Sequence, residues 1–324
     1  MKTLPWKRAL VTGVSGFTGS WLAERLADAG AEVHGFDLPG AGRRNLAALP
    51  DLVQLHEGDL TDAAAAAAMV RRIRPEAVFH LAGRIGEQDL GALLEANVVG
   101  TESLLRALAV EGKGELRVVL VTGSASEYGP VAEDRLPIGE EEPFRPANLY
   151  GVSKAAQSLA AAVVARRWNL PLVRTRAFNI TGPRESLALV GASFAEQIAR
   201  IEKGERKPEI RVGPLGAARD FTDVRDVARA YLDAAREPAA TGGIFNVCSG
   251  RAVTIREVLD RLVALSGVKV EIVPNPAFAG RDDRSVIIGD GTRAKETFGY
   301  EPAIPLEDSL RDLLGYWRER IRES

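Results

Sequence analysis

A glycine loop near the start of the chain constrains the fold more than any other feature. Residues 8–12, Arg-Ala-Leu-Val-Thr, read as a short buried strand, and Gly13-Val14-Ser15-Gly16-Phe17-Thr18-Gly19 follows at once. A helical pattern then runs to a stop at Gly30, and residues 32–37 read as a second strand ending in Asp37. Glycines at this point let the backbone approach a pyrophosphate, and the following helix N-terminus offers N–H donors and a positive dipole end. Asp37 lies 18 residues after Gly19, close to the spacing of an acid that binds the adenosine ribose. The alternative for Asp37 is a turn aspartate ahead of Pro39-Gly40. The unit as a whole predicts a dinucleotide site built on Gly13, Gly16, Phe17, Thr18, Gly19 and Asp37.

The next segments repeat the strand–helix rhythm. Residues 52–56, 77–83, 116–122 and 173–178 read as strands, with helical patterns between them. Alternation of this kind predicts an α/β fold, a Rossmann-type doubly wound parallel sheet. Such sheets bind ligands at the carboxyl ends of their strands. That rule selects Asp59 and Leu60 after the third strand, where a carboxylate can meet the adenine amino group or cap a helix. It selects Leu81, Ala82 and Gly83 after the fourth, where small residues suit a close backbone approach. After the fifth it selects Ser124, in Gly123-Ser124-Ala125-Ser126-Glu127. Asn97 sits within an expected long helix, residues 91–110. After about residue 180 the rhythm changes. We expect residues 1–180 to bind the dinucleotide, with a strand and helix from about 222–250 returning to that part. Residues 181–324 are expected to form mainly a smaller α/β substrate-binding domain.

Tyr150 and Lys154 stand four residues apart, on one face of an expected helix. A free phenol titrates near ~10, too high to exchange protons with a sugar hydroxyl at neutral pH. A fixed ammonium beside it favours phenolate and lowers that value, which makes the pair a general acid/base. The plain alternative is a surface tyrosine and lysine. Composition adds exclusions: a net charge of −2 gives no electrostatic case for nucleic acid, and no apolar run reaches membrane-span length. A single cysteine, Cys248, and a start that leaves no room for a signal peptide predict a cytoplasmic protein. His34, His56 and His80 are widely spaced in the sequence, and no metal site is expected.

Together, Thr12 to Gly19 (TGxxGxxG), His80-Leu81-Ala82-Gly83, Asn97, Ser124 and Tyr150-x-x-x-Lys154 resemble the extended short-chain dehydrogenase/reductase superfamily, over essentially the whole chain. That resemblance implies that Ser124 orients a sugar oxygen and Tyr150 is the acid/base. It also implies that Lys154 binds the nicotinamide ribose while lowering the Tyr150 pKa, and that Asn97, Ala177 and Phe178 lie at the cofactor. The second half is most similar to GDP-4-keto-6-deoxy-D-mannose reductases, through Arg176-Ala177-Phe178-Asn179-Ile180-Thr181-Gly182-Pro183, the run from Arg219 to Val227, and Asn246-Val247-Cys248-Ser249-Gly250. By that likeness Asn179 and Arg219 touch a nucleotide-sugar diphosphate, Ser126 lies at the substrate, and Arg281 and Arg284 occupy the place of another diphosphate-binding arginine. A solvated charge cluster is the alternative for those last two. Relatives also pair two long helices across a two-fold axis, which implies a homodimer. Asp37 departs from the basic or small residue common in this reductase group. An aspartate repels a 2′-phosphate, so NAD(H) is favoured, while Arg43 and Arg44 leave NADP(H) open.

The resulting expectation is reduction of a 4-keto-6-deoxy nucleotide sugar. A C4 epimerase is the runner-up, and a non-catalytic dinucleotide sensor is a distant third. Dehydration is not expected. The related dehydratases carry a carboxylate two residues after their Ser/Thr, and that position here is Ser126. Glu127 is one step further, on the opposite face if the segment stays extended.

Overall fold

The computed structural model describes residues 4–47, 49, 51–86, 89–112, 114–278 and 285–323. The chain opens with β1 (Arg8–Thr12), α1 (Phe17–Asp28), β2 (Glu32–Asp37), β3 (Val53–Glu57), α2 (Ala63–Ile73) and β4 (Ala77–His80). Asp62 caps α2 by accepting from the N–H of Ala64 and Ala65, so the alanine run starts with two of its orphan donors satisfied. The expected helix over residues 91–110 is instead three pieces: α3 (Leu90–Leu94), a π-helical turn (Glu95–Val99) and α4 (Gly100–Glu111). The remaining elements are β5 (Val118–Ser124), α5 (Leu149–Trp168), β6 (Leu172–Ala177), β7 (Asn179–Thr181), α6 (Val190–Glu202), β8 (Glu209–Val212), β9 (Ala218–Asp223), α7 (Val224–Arg236) and β10 (Ile244–Val247). They end with β11 (Ala252–Thr254), α8 (Ile255–Ser266), β12 (Glu271–Pro274), β13 (Val286–Ile287), α9 (Thr292–Phe298) and α10 (Leu306–Glu323).

Seven strands form one parallel sheet in the order β10-β6-β5-β4-β1-β2-β3. Strand order reverses between β1 and β4, and the crevice there is where this architecture receives ligands. Alternate residues face opposite sides. Ala9 and Val11 pack with Leu22, Leu26 and the apolar face of α7, whereas Leu10 packs with Val70 of α2, Leu104 and Leu108 of α4 and Ala161 of α5. Helices therefore cover both faces of the sheet. A separate apolar cluster joins α6, α8 and α10 through Phe194, Ile198, Leu259, Leu310 and Leu314.

Loop residues Pro183 and Arg184, after β7, bind the later elements to α1. Trp21 of α1 donates to the carbonyl of Pro183 at 2.9 Å, Arg184 stacks over its ring at 4.1 Å from the centroid, and Arg184 also pairs with Glu24 at 2.8 Å. The acidic residues of the Arg219-to-Val227 run have architectural partners. Asp220 accepts from the N–H groups of Ser249 and Gly250, Asp223 caps α7, and Asp226 accepts from the N–H groups of Ala303 and Ile304. Sequence reading named this run without assigning its aspartates these tasks.

Candidate active site

A cleft of about 490 Å³ opens at the β1/β4 crossover, lined by Gly13, Gly16, Asp37, Asp59, Leu60, Leu81, Ala82 and Gly83 among others. Three of the loop and strand-end glycines are there for space. A Cβ on Gly13, which has φ +72°, would lie 2.8 Å from the Ala82 nitrogen. On Gly19 it would lie 2.1 Å from the Gly13 carbonyl oxygen, and on Gly83 2.6 Å from Asn97 Oδ1. Helix α1 starts beside this loop with no side-chain cap and no acid in its first turn. Its leading N–H groups are thus available to an anion. Phe17 and Thr18 form that first turn. The cradle fits the pyrophosphate and adenosine of a dinucleotide.

Asp37 lines the cleft, and one of its oxygens, Oδ2, is held by the Ser15 backbone N–H at 2.8 Å and by the Ser15 hydroxyl. Ser15 was not singled out by sequence reading. Asp59 also lines the cleft but uses Oδ1 to cap the Thr61 N–H at 2.8 Å. Arg43 pairs with Glu57 at 2.7 Å.

Asn97 occupies the π turn and is fully buried. Its Oδ1 accepts from the Arg84 N–H at 2.7 Å, and its Nδ2 donates to the Arg84 carbonyl at 3.1 Å and to Ser153 Oγ at 2.9 Å. Asn97 is thus a buried residue bonded on both sides of its amide and not an exposed one on a helix surface. A second buried chain runs alongside. Thr101 gives its hydroxyl proton to the Asn97 carbonyl at 2.6 Å and so accepts from Gln157 Nε2 and His80 Nε2, both at 2.8 Å. This assigns the His80 proton to Nε2, and Nδ1 then accepts from the Thr12 hydroxyl at 2.7 Å. Burial, with Lys154 nearby, pushes the His80 pKa down to about 3, so the ring is neutral. The network ties the end of β1 to the helix that carries Tyr150.

Tyr150 lies in the first turn of α5, behind the Asn148 cap, which accepts from the Gly151 N–H at 2.7 Å. Gly151 permits the key contact: a Cβ there would lie 2.4 Å from the Ser126 carbonyl oxygen. The end of β5 can therefore press against this turn, and the Ser124 hydroxyl lies near enough to the Tyr150 phenol to favour its ionised form. Ser126 touches Ser124 through its own backbone N–H, 3.1 Å from Ser124 Oγ.

The electrostatics differ from the sequence expectation. Burial pushes the Tyr150 phenol up to about 12; the nearby Ser124 hydroxyl opposes this and Glu127 adds to it. Lys154 does not bring the phenol toward neutrality in this geometry. Its Nζ donates to the Thr122 carbonyl at 2.6 Å, and burial takes its own pKa down to about 8 against the pull of Glu127. Glu127 also departs from the extended-strand picture. After Ser124 the chain makes a 3₁₀ turn (Ala125–Glu127), which brings Glu127 back beneath the strand end. There its Oε1 accepts the Ser124 N–H at 2.7 Å and its Oε2 pairs with Arg176 at 2.9 Å.

Other expected residues are placed as follows. Ala177 ends β6 and Phe178 packs in a buried cluster with Tyr128, Ile138 and Cys248. Asn179 starts β7, partly exposed, beside Phe221 of β9. Arg219 donates to the carbonyls of Ala218 and Ser285 at 2.9 and 2.8 Å. Arg281 and Arg284 lie outside the described residues. His34 and His56, far apart in sequence, meet across β2 and β3 with ring nitrogens 3.1 Å apart. Among the described residues no group of three or more His, Cys, Asp or Glu is suited to a metal ion, and no helix is long and apolar enough to cross a membrane.

Comparison with known proteins places the chain among nucleotide-sugar enzymes. A GDP-6-deoxy-D-mannose reductase of Pseudomonas aeruginosa is 36% identical over 98% of this chain and 99% of its own. The solved structure of RMD from Pseudomonas aeruginosa complexed with NADPH superposes with a TM-score of 0.83 at 33% identity, covering 97% of this chain and 99% of that one. A UDP-glucose 4-epimerase of Thermus thermophilus in complex with NAD gives a TM-score of 0.83 at 30% identity, over 96% and 99% of the two chains. The GDP-mannose 4,6 dehydratase family profile matches residues 10–313. The glycine cradle, the Ser124–Tyr150–Lys154 arrangement and these matches lead to one conclusion: the chain belongs to the GDP-mannose 4,6-dehydratase family, within the NAD(P)-dependent extended short-chain dehydrogenase/reductases.

Proposed function

We propose that the protein reduces the 4-keto group of a nucleotide-diphosphate 6-deoxy sugar of the GDP-4-keto-6-deoxymannose type. The observation that carries this is the placement of Tyr150 against the Ser124 end of β5. Its ring stands in the first turn of α5, against which the Ser124–Ser126 end of β5 is pressed, and its phenol keeps its proton at neutral pH, as a proton donor to a ketone oxygen must. The dinucleotide, when bound, supplies the hydride. Ser124 donates to the sugar oxygen as negative charge grows there. Tyr150 gives up its O–H proton to that oxygen as the C=O π electrons become a lone pair, and it is reprotonated from solvent after release. Lys154 supports the developing phenolate with its ammonium charge.

In this reading Gly13, Gly16, Phe17, Thr18 and Gly19 hold the pyrophosphate, and Asp37, Asp59 and Leu60 hold the adenosine. Residues up to about 180 and 222–250 serve the dinucleotide, and the rest mainly serve the sugar nucleotide. Asn179 and Arg219 face its diphosphate, where arginine's planar fork suits phosphate oxygens. NAD(H) is preferred because Asp37 stands at the end of β2. The reading includes a cytoplasmic homodimer. Supporting it, α5 leaves Val152, Leu159 and Val163 exposed in one stripe at helical spacing, with Val99 exposed on the π turn. A mass of about 70 kDa in light scattering, twice 34.8 kDa, is expected.

An epimerase is the second reading, favoured by Asp37 and by similarity to the Thermus thermophilus enzyme. One assay separates the two. GDP-4-keto-6-deoxymannose is incubated with NADH or NADPH while absorbance and product are followed. Stoichiometric cofactor consumption is the expected result, and isomerisation without net consumption would replace the reductase by the epimerase.

A further inference from the structure

Glu127 has no part in the proton transfer just described, yet it is fully buried next to the groups that have. A carboxylate removed from water needs compensating partners. It has them at both ends: the Ser124 N–H at 2.7 Å and the Arg176 Nε at 2.9 Å. The strand is shaped to admit it, since a Cβ on Gly123 would lie 2.3 Å from Glu127 Oε1. The Lys154 ammonium meets the same strand end at the Thr122 carbonyl, 2.6 Å away. Carboxylate and ammonium thus anchor to Ser124 and Thr122, the two residues flanking Gly123.

We propose that Glu127 is a positioning residue, which fixes Ser124 through its backbone N–H and serves as the buried counter-anion of Lys154 without touching substrate. This rests on the reductase reading of Ser124, Tyr150 and Lys154. The surroundings leave Glu127 as the group that favours the ammonium. His80 of β4 is neutral, and burial opposes a charge on Lys154. Tyr150 of α5, Tyr128 after the 3₁₀ turn and Tyr231 of α7 are all held protonated, chiefly by burial. Arg174 and Arg176 of β6 face Glu127, and the Glu140 carbonyl accepts from Arg176 at 3.1 Å. Burial pushes the Glu127 carboxyl up, while Arg176, the Ser124 N–H and Lys154 pull it back toward ionisation. Removing its charge lowers the Lys154 pKa. In this reading loss of the Lys154 charge ends activity on the alkaline side, so the edge moves toward neutral pH.

The test is Glu127→Gln, with the pH–rate profile of NADH-dependent reduction of GDP-4-keto-6-deoxymannose. The alkaline limb is expected to move toward neutral by roughly half a pH unit or more, with kcat reduced more than KM is raised. A limb at the wild-type position overturns the proposal, whatever happens to thermal stability, because a purely architectural carboxylate lowers stability and leaves the limb in place. Where Glu127→Gln alone fails to fold, Glu127→Gln combined with Arg176→Gln replaces the ion pair by an amide pair and leaves no guanidinium unpaired, so that Lys154 alone loses its anion. A downward shift is again expected, smaller than in Glu127→Gln because a neighbouring cation is removed as well. Carbon-13 NMR of labelled lysine, with the Lys154 signal assigned by its loss in Lys154→Met, reads the titration without substrate. A shifted Lys154 titration in a protein that does not reduce the keto sugar would overturn the reductase reading and leave the counter-anion standing. An unshifted titration overturns the counter-anion itself.

Discussion

Replacing Thr101 by valine should cost more than replacing it by serine, although valine keeps the shape and serine does not. The reason is the buried junction at Thr101 Oγ1, which serves the Asn97 carbonyl at 2.6 Å and the side-chain nitrogens of His80 and Gln157 at 2.8 Å each. Thr101 and His80 are fully buried and Gln157 is 1% exposed, so water cannot stand in. Each buried group left unpaired costs about 1–3 kcal/mol. Gln157 can turn its amide, which recovers part of one loss, so Thr101→Val is expected to lose about 3–5 kcal/mol. Thr101→Ser keeps all three hydrogen bonds and loses one buried methyl, about 1 kcal/mol. Urea midpoints at constant m-value give both numbers. The valine variant should also bind NADH more weakly, because Asn97 holds the backbone of Arg84 at the cleft. If valine proves as stable as serine or more so, packing dominates at this position and the argument from the polar junction is wrong.

Tyr150→Phe removes the transferable proton alone and should cut turnover by ~10²–10⁴ with NADH affinity nearly unchanged; near-wild-type turnover would end its assignment as the acid. Wild type should prefer NADH, and Asp37→Ala should narrow that preference; a tenfold wild-type preference for NADPH would show that Asp37 does not read the ribose. His34, His56 and His80 all titrate below the free imidazole value, chiefly through burial. A depressed folded pKa means stability that is whole above about pH 6.5 and is lost as pH falls. With a folded value of about 3, His80 alone removes about 2 kcal/mol by pH 5, and equal urea midpoints at pH 5 and 7 would contradict this. Finally, GDP-mannose with NAD should give no 4-keto-6-deoxy product by mass spectrometry. Dehydration needs a second base, and Glu127 is committed to Ser124 and Arg176.

The dinucleotide unit was legible because its parts are local. Strand, glycine loop, helix and acid lie within residues 8–37, and each glycine there answers a close approach that any such turn imposes. The fold class followed from the same rhythm. The π turn at residues 95–99 was not legible, because the apolar spacing around it suits an unbroken helix. Its cause is tertiary: the Asn97 amide bonds the backbone at Arg84 and the hydroxyl of Ser153, the second of these 56 residues away. A local pattern carries no trace of either partner. The same holds for His34 and His56, which read as widely spaced and are neighbours only because β2 and β3 pair in parallel.

Tyr150-x-x-x-Lys154 shows how far a motif reaches before physics outside it takes over. Helical spacing places both residues on α5, as expected, but spacing cannot say which charges surround them. The inference that Lys154 brings the phenol toward neutrality considered the pair in isolation. In the folded protein burial acts on both members at once, up for the phenol and down for the ammonium. An anion that could hold the lysine charged is then required from elsewhere. Glu127 supplies it, in a place that strand periodicity had turned away from the site. It returns because a 3₁₀ turn follows Ser124 and because Gly123 leaves room for its carboxylate. Arg176, 49 residues further along, holds the other oxygen. The chemistry at neutral pH is therefore a property of β5, its turn, α5 and β6 together, and the five-residue motif specifies only where the proton is handed over.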